Sequence, residues 1–133
     1  MNIVIIGTGY VGLVTGVGLA SRGNIVNFID LDESKIKDLS SKKITFYEPG
    51  IEEYFNDDET FKRMSFSLNY ASIEWDKVDI VFVCVQTPNN IETNSVDTKF
   101  LESAIKEINN VNNNAACRAR GVKRHPPGGV KTI

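Results

Sequence analysis

The sequence predicts an α/β fold, a doubly wound parallel sheet of which these residues form the first half. Three observations indicate it. An apolar run at residues 3–6 leads into a glycine-rich turn and then into a helical pattern. A second apolar run at residues 25–29 ends in an acidic residue. A third run at residues 78–85 is apolar at nearly every position, as in parallel strands covered by helices on both faces.

The first strand, the first helix and the second strand are the most clearly marked elements. We expect strands at residues 2–6 and 25–30, because each is a short apolar run bounded by turn residues. Between them, residues 10–22 carry a helical pattern that ends at a glycine, as helices commonly do. Gly16 and Gly18 lower the helix propensity of this segment, but they would let the helix approach the sheet closely.

The middle of the chain alternates short helices and loops. Asp32 is expected to cap a short helix that carries Ile36 and Leu39 on one face. A Pro-Gly pair breaks regular structure, so residues 45–50 are predicted to form a loop. A short amphipathic helix follows, with the apolar residues Ile51, Tyr54 and Phe55 and the exposed residues Glu52 and Glu53.

Two further strands complete the predicted sheet. Residues 65–68 alternate polar and apolar side chains and predict a strand, which a helical turn follows at residues 70–75. Residues 78–85 are the fourth strand, in which Cys84 is expected to be a small buried hydrophobe. A polar loop then leads to a helix over residues 98–108. The predicted strand order is 3-2-1-4.

The turn after the first strand carries a dinucleotide-binding pattern. Residues 7–12 read Gly-Thr-Gly-Tyr-Val-Gly, between a predicted strand and a predicted helix. In such a Rossmann-type turn, Gly7 permits the tight bend and Gly9 lets the backbone approach a pyrophosphate. Gly12 allows the helix to pack against the strand. The pattern therefore predicts a site for a dinucleotide at this turn.

An acidic residue at the end of the second strand identifies NAD as the expected cofactor. The free N–H groups near Tyr10 and Val11 would face the phosphates at the positive end of the helix dipole. Asp30 can accept hydrogen bonds from both ribose hydroxyls of NAD, and it would repel the 2′-phosphate of NADP. The alternative is a parallel α/β unit that binds no nucleotide.

Length and composition limit the class of protein. A chain of 133 residues with 41% hydrophobic and 24% charged residues is about one globular domain. The sequence shows no signal-peptide pattern and no apolar run long enough to span a membrane. Cys84 and Cys117 indicate neither a disulfide framework nor a metal site. We therefore expect a cytoplasmic protein with no metal, no membrane partner and no nucleic-acid partner.

The composition changes after residue 110. All 17 acidic residues lie in the body of the chain, whereas the end is rich in Arg, Ala, Gly and Pro. We divide the chain into a domain at residues 1–110 and a disordered tail at residues 111–133. Our hypothesis is that a frameshift or a joined reading frame replaced the native continuation from about Ala115. The alternative is a genuine disordered basic tail. The only histidine of the sequence, His125, lies in this tail and is not interpreted as a general base.

Four stretches of sequence, in the same order, resemble the N-terminal domain of the UDP-glucose/GDP-mannose dehydrogenase family. The resemblance covers about residues 1–110, and the form of the glycine turn is most like the UDP-glucose branch. The Tyr-Glu-Pro-Gly segment argues against a Rossmann dehydrogenase of the hydroxyacid or hydroxyacyl type, and its Glu48 is taken as structural. The four matching stretches are Gly7–Gly16, Asp30–Ile36, Tyr47–Glu53 and Val85–Pro88.

The resemblance implies an activity and a set of cofactor contacts. The activity is oxidation of the primary alcohol of a nucleotide sugar, UDP-glucose, to the carboxylate with reduction of two NAD. Tyr10 and Val11 would contact the pyrophosphate, Asp30 and Lys35 the adenosine ribose, and Thr87 the nicotinamide side. The alternatives are that Lys35 is a solvated helix residue and that Thr87 only caps a strand end.

The same resemblance implies that this chain carries no catalytic residue. The family's nucleophilic cysteine, its lysine and its aspartate belong to later parts of the protein, and neither Cys84 nor Cys117 matches that cysteine. We therefore expect a catalytically silent chain; the alternative is a non-catalytic NAD-binding or regulatory module. The full-length form would be a homodimer. The fourth strand would be an exposed apolar edge, which favours aggregation, and NAD binding would be weak.

Overall fold

A parallel sheet of four strands forms the centre of the protein. The computed structural model describes residues 1–44, 46–90 and 95–119. The strand order is β3-β2-β1-β4, which confirms the predicted α/β class and the predicted half-sheet. The strands are β1 (Asn2–Ile6), β2 (Ile25–Ile29), β3 (Met64–Ser67) and β4 (Ile80–Val83).

Helices connect the strands and cover the sheet. The first predicted helix ends one residue earlier than expected, at Ser21, and the second is capped as predicted by Asp32, which accepts from the N–H of Lys35. The α-helices are α1 (Tyr10–Ser21), α2 (Glu33–Ser40), α3 (Ile51–Asn56), α4 (Asp58–Phe61) and α5 (Lys99–Ala119). Two 3-10 turns lie at Tyr70–Ser72 and Trp75–Lys77, and a small antiparallel pair is formed by β5 (Asn89–Asn90) and β6 (Ser95–Val96).

One face of the sheet carries an apolar row that crosses all four strands. Ile5 is in register with Phe28 on one side and with Phe82 on the other, and Phe28 is in register with Phe66. The rings of Phe28 and Phe66 stack with their centroids 5.0 Å apart. Because residues in register across parallel strands point to the same face, this row is the floor on which α1 and α3 pack.

Gly16 lets α1 approach that floor closely. A Cβ atom at this position would stand 2.2 Å from the ring of Phe28 and 2.8 Å from the Cδ1 of Ile5. At Gly18, by contrast, a Cβ atom would meet nothing within 4 Å. Of Gly16 and Gly18, only Gly16 is therefore required by packing, and the expectation for Gly18 was wrong.

The opposite face of the sheet packs against α5 and the two 3-10 turns. Val4, Ile6 and Ile29 are buried there, in one cluster with Ala104 and Ile108 of α5 and with Tyr70 and Trp75. The Trp75 indole Nε1 donates a hydrogen bond of 2.7 Å to the carbonyl of Tyr70. Helices thus lie on both faces, which is the doubly wound arrangement the sequence predicted.

Several predicted details differ from the structure. Helix α4 was not expected, although Asp57 caps it by accepting from the Thr60 N–H at 2.8 Å. Tyr54 is 53% exposed rather than part of an apolar face. The polar loop after β4 contains the short β5–β6 pair, and residues 91–94 lie outside the described residues. The remaining strand limits shift by one to two residues, because single-sequence patterns mark element ends poorly.

Strand β4 lies at one edge of the sheet and all four of its residues are half-buried. This exposure agrees with the expected apolar edge. It differs from the expectation that helices cover this strand on both faces. Cys84 lies one residue beyond the strand and is also half-buried, not fully buried. Its N–H still donates to the carbonyl of Ile6 at 2.7 Å, which extends the ladder.

Helix α5 is longer than predicted. It was expected to end at Ile108, but it continues to Ala119, so residues 111–119 are helical and not disordered. The helical pattern was hard to recognise there because asparagines replace the apolar positions. The rest of the tail, including His125, lies outside the described residues. Among the described helices, none combines the length and the apolar character that crossing a bilayer requires.

Candidate functional site

A cleft of 430 Å³ opens at the carboxyl ends of the central strands. The turn after β1 contributes Gly7 and Gly9, the segment after β2 contributes Asp30, and the segment after β4 contributes Gln86. Ligands of open α/β sheets bind at this end of the strands. The turn after β1 and the segments after β2 and β4 therefore converge on one crevice.

Two glycines of the turn are required by the fold itself. Gly7 has φ of +97°, and a Cβ atom there would stand 2.6 Å from the carbonyl oxygen of Cys84. A Cβ atom at Gly12 would stand 2.0 Å from the carbonyl oxygen of Gly7. The turn after β1, the start of α1 and the end of β4 are therefore in backbone contact, and any side chain at these two positions would separate them.

Gly9 has a different role, because it faces open space. A Cβ atom on Gly9 would meet nothing within 4 Å, and φ of −68° is accessible to any residue. Gly9 lines the cleft and is the N-cap of α1, yet no side chain hydrogen-bonds to that helix end. The first-turn N–H groups, including those of Tyr10 and Val11, are thus left uncapped at the positive end of the helix dipole, where an anion binds well.

Asp30 is held by three hydrogen bonds from the chain itself. Its Oδ2 accepts from both the N–H and the hydroxyl of Thr8, each at 2.7 Å. Its Oδ1 accepts from the N–H of Asp32 at 3.0 Å. A carboxylate offers about four acceptor positions, so these bonds leave about one, on Oδ1, for a ligand hydroxyl.

The same contacts keep Asp30 ionised. Burial by itself raises the pKa of its carboxyl. The hydrogen bonds from Thr8 and Asp32, together with the positive charge of Lys35, outweigh burial and hold the pKa below its usual value. Asp30 is therefore an anion at neutral pH, which is the form that accepts hydrogen bonds from a ribose.

The structure separates the sequence-predicted site residues into three groups. Gly7, Gly9, Asp30 and Lys35 line the cleft. Tyr10 and Val11 are exposed at the start of α1, while Gly12 is buried beneath the turn. Thr87 is exposed and does not line the cleft, whereas its neighbour Gln86 does.

Several residues of the site were not identified from the sequence. Thr8 does not line the cleft, but it is only 2% exposed and holds Asp30, and nothing in its local pattern distinguishes it from any residue between two glycines. Leu31, 76% exposed, follows the strand-end acid, and that position could have indicated it. No local signal marks the cleft wall that α5 and the first 3-10 turn supply, which consists of Tyr70, Phe100, Ser103, Ala104 and Glu107.

Comparison with known proteins gives a family match over most of the chain. Residues 1–117 match the model of the UDP-glucose/GDP-mannose dehydrogenase family, NAD binding domain. Among curated proteins, the UDP-glucose 6-dehydrogenase YwqF of Bacillus subtilis is 42% identical over 88 residues, which are 66% of this chain and 20% of that protein. The UDP-glucose 6-dehydrogenase of Rickettsia typhi is 34% identical over all 133 residues, or 30% of its own length.

Solved structures show the same likeness. A ternary complex of GDP-mannose dehydrogenase from Pseudomonas aeruginosa matches with a TM-score of 0.76 and 31% identity, over 84% of this chain and 25% of that one. A UDP-glucose dehydrogenase from Pyrobaculum islandicum matches with a TM-score of 0.72 and 30% identity, over 80% of this chain and 24% of that one. The chain spans between 12% and 30% of the length of the first three curated relatives.

Proposed function

The chain belongs to the UDP-glucose/GDP-mannose dehydrogenase family, and from that premise we propose that it binds NAD for the oxidation of UDP-glucose to UDP-glucuronate. The cofactor and the N-terminal NAD-binding domain come with the family. UDP-glucose as the substrate is supported by the names of two curated relatives, each a UDP-glucose 6-dehydrogenase.

One observation carries the proposed NAD site. The uncapped N-terminus of α1 and the ionised Asp30 stand at the same cleft, the first suited to a pyrophosphate and the second to a ribose hydroxyl. Gly9 lies between them with no side chain in the way. A dinucleotide offers these two groups in this order, so its adenosine half would lie along this side of the cleft.

Each part of the cleft would have a separate task in holding the cofactor. The N–H groups of Tyr10 and Val11 would donate to pyrophosphate oxygens. Oδ1 of Asp30 would accept from one ribose hydroxyl, and Lys35 would add positive charge beside it. Thr87 would reach the nicotinamide side from outside the described cleft. NAD supplies the hydride acceptor when bound.

We infer that Cys84, whose side chain the structure describes, does not serve the second oxidation. Passage from an aldehyde to an acid needs a nucleophile that forms a covalent intermediate, and a thiolate is the usual one. Burial raises the pKa of Cys84, which keeps its thiol protonated at neutral pH. We propose that the 133-residue chain alone binds NAD without oxidising a nucleotide sugar, and that the reaction uses residues outside this stretch.

Two further predictions accompany this function. We expect the protein to act in the cytoplasm and its full-length form to be a homodimer. A non-catalytic NAD-binding or regulatory role for the chain is the other candidate function. In that role the same cleft would bind NAD, but the protein would act on no substrate.

The experiment combines a binding and an activity measurement on the purified chain. NAD is titrated into the 133-residue protein by calorimetry, and NADH formation is followed at 340 nm with UDP-glucose and, separately, with GDP-mannose. We expect NAD binding and no NADH from either sugar nucleotide. NADH formation from UDP-glucose would overturn the proposed inactivity, and failure to bind NAD would overturn the proposed function.

A further inference from the structure

Thr8 is a buried polar residue at the edge of the cofactor cleft. Its side chain is 2% exposed, and both of its donors, the N–H and the hydroxyl, reach the same Oδ2 atom of Asp30 at 2.7 Å. Hydrogen bonds to an ionised acceptor are roughly twice as strong as neutral ones. The pair therefore holds the carboxylate in one orientation.

This contact continues a series of bonds that join two separate segments. The N–H of Gly7 donates to the carbonyl of Ile29 at 2.8 Å, one residue before Thr8 bonds to Asp30. On the far side of the carboxylate, the N–H of Asp32 donates to Oδ1 at 3.0 Å. The phosphate-binding turn and the start of α2 are thus connected through the carboxylate of Asp30.

The charges around Asp30 show why this support matters. Lys35 favours the ionised carboxylate, whereas burial opposes it. Two other acidic residues, Asp32 beside it and Glu107 from α5, line the same cleft, as does the phenol of Tyr70. The Thr8 side-chain hydrogen bond is the largest of the contributions that lower the pKa of Asp30.

We propose that Thr8 is a positioning residue for the cofactor: its hydroxyl fixes Oδ2 of Asp30 and leaves Oδ1 facing the cleft to receive a ribose hydroxyl. This inference rests on the proposed function. Thr8 itself would touch no cofactor atom. It acts through Asp30, by keeping that carboxylate ionised and singly oriented.

Two substitutions at Thr8 test the hydroxyl separately from the shape of the side chain. Thr8→Val removes the hydroxyl and keeps the branched shape, and Thr8→Ser keeps the hydroxyl. The matched control is Thr60→Val, because Thr60 is likewise buried at 4% exposure and supports Asp57 through its N–H and hydroxyl, away from the cleft. NAD affinity is measured by calorimetry, and the pKa of Asp30 by the NMR shift of its carboxyl carbon.

For Thr8→Val we expect NAD binding about tenfold to a hundredfold weaker, as for loss of a hydrogen bond to a charged group, and a raised pKa of Asp30. Thr8→Ser restores both values to near those of the wild type, and Thr60→Val changes neither. Wild-type affinity in Thr8→Val would overturn the inference, and so would an unchanged Asp30 pKa in that variant.

The measurements also distinguish failure of this inference from failure of the proposed function. A wild-type chain that fails to bind NAD overturns the proposed function and the inference together. Wild-type binding that Thr8→Val leaves intact overturns the inference alone. Titration of Asp30 in the wild-type chain does not depend on whether a variant folds. An Asp30 pKa at or above the ordinary aspartate value in that chain would contradict the positioning role of Thr8.

Discussion

The hydroxyl of Tyr10 donates a hydrogen bond of 2.6 Å to Oε2 of Glu48. It joins the first residue of α1 to the Glu-Pro-Gly loop, 38 positions away in the sequence. The ring of Tyr10 also lies 5.4 Å from that of Phe46, centroid to centroid. Glu48 is therefore structural in the way the sequence indicated, since it orients this loop against the phosphate-binding end of the helix.

The first prediction concerns the titration of Tyr10. The hydrogen bond to Glu48 raises the pKa of the Tyr10 phenol, with burial and the Glu48 charge adding to it. Because the folded state favours the protonated phenol, the stability it contributes is present below the ordinary tyrosine pKa and is lost as the pH rises through the raised value. We expect Glu48→Gln to lower the Tyr10 pKa, followed by NMR of its ring.

A suitable control is Glu59→Gln, which removes a carboxylate paired with Lys62 on α4. It should leave the Tyr10 titration unchanged, because Glu59 makes no contribution to it. If Glu48→Gln and Glu59→Gln give the same Tyr10 titration as the wild type, the loop is not held by this bond.

The second prediction compares Gly16 and Gly18, two of the three glycines within α1. Gly16→Ala places a methyl group against the ring of Phe28 and should destabilise the fold by about 1–3 kcal/mol through overpacking. Gly18→Ala meets no atom within 4 Å and should stabilise it by up to about 1 kcal/mol, because alanine favours the helix. Urea denaturation measures both. Equal effects of the two substitutions would show that α1 does not pack as closely as described.

The third prediction separates the glycine that serves the ligand from those that serve the fold. Gly9→Ala should leave the melting temperature near that of the wild type, since its methyl group meets open space. The same methyl group would stand where a pyrophosphate approaches, so NAD affinity should fall at least about tenfold. Gly12→Ala should instead unfold the chain or lower its melting temperature sharply, because the new Cβ collides with the Gly7 carbonyl.

Calorimetry and thermal unfolding of the same samples check this pair. Wild-type NAD affinity in Gly9→Ala would place the phosphate elsewhere. A stable Gly12→Ala protein would contradict the close contact between the turn and the helix.

The sheet could be predicted from the sequence because its strands are short apolar runs separated by clear turn signals. Asp32 was placed correctly as a cap, since capping depends on local residues. The extent of α5 could not be predicted, because its second half carries asparagines in place of an apolar stripe. The reason is physical. Apolar periodicity marks the part of a helix that packs against the core, and it does not mark a continuation of the helix beyond that packed face.

The candidate site was predictable only where a motif encodes it. The glycine turn and Asp30 are local features, and the structure brings them to one cleft. The bond between Thr8 and Asp30 joins residues 22 positions apart, and the wall formed by Phe100 and Glu107 comes from a distant helix. Such pairs arise from the packing of separate elements, which one sequence does not reveal.

Whether this cleft is an NAD site can be decided by amide NMR of the 133-residue chain during titration with NAD and, separately, with NADP. We expect NAD to shift the amides of residues 7–12 and 30–35 before others, and NADP to bind at least about tenfold more weakly, because Asp30 repels the 2′-phosphate. Shifts confined to other surfaces, or equal affinity for the two cofactors, would contradict the claim that this cleft is an NAD site.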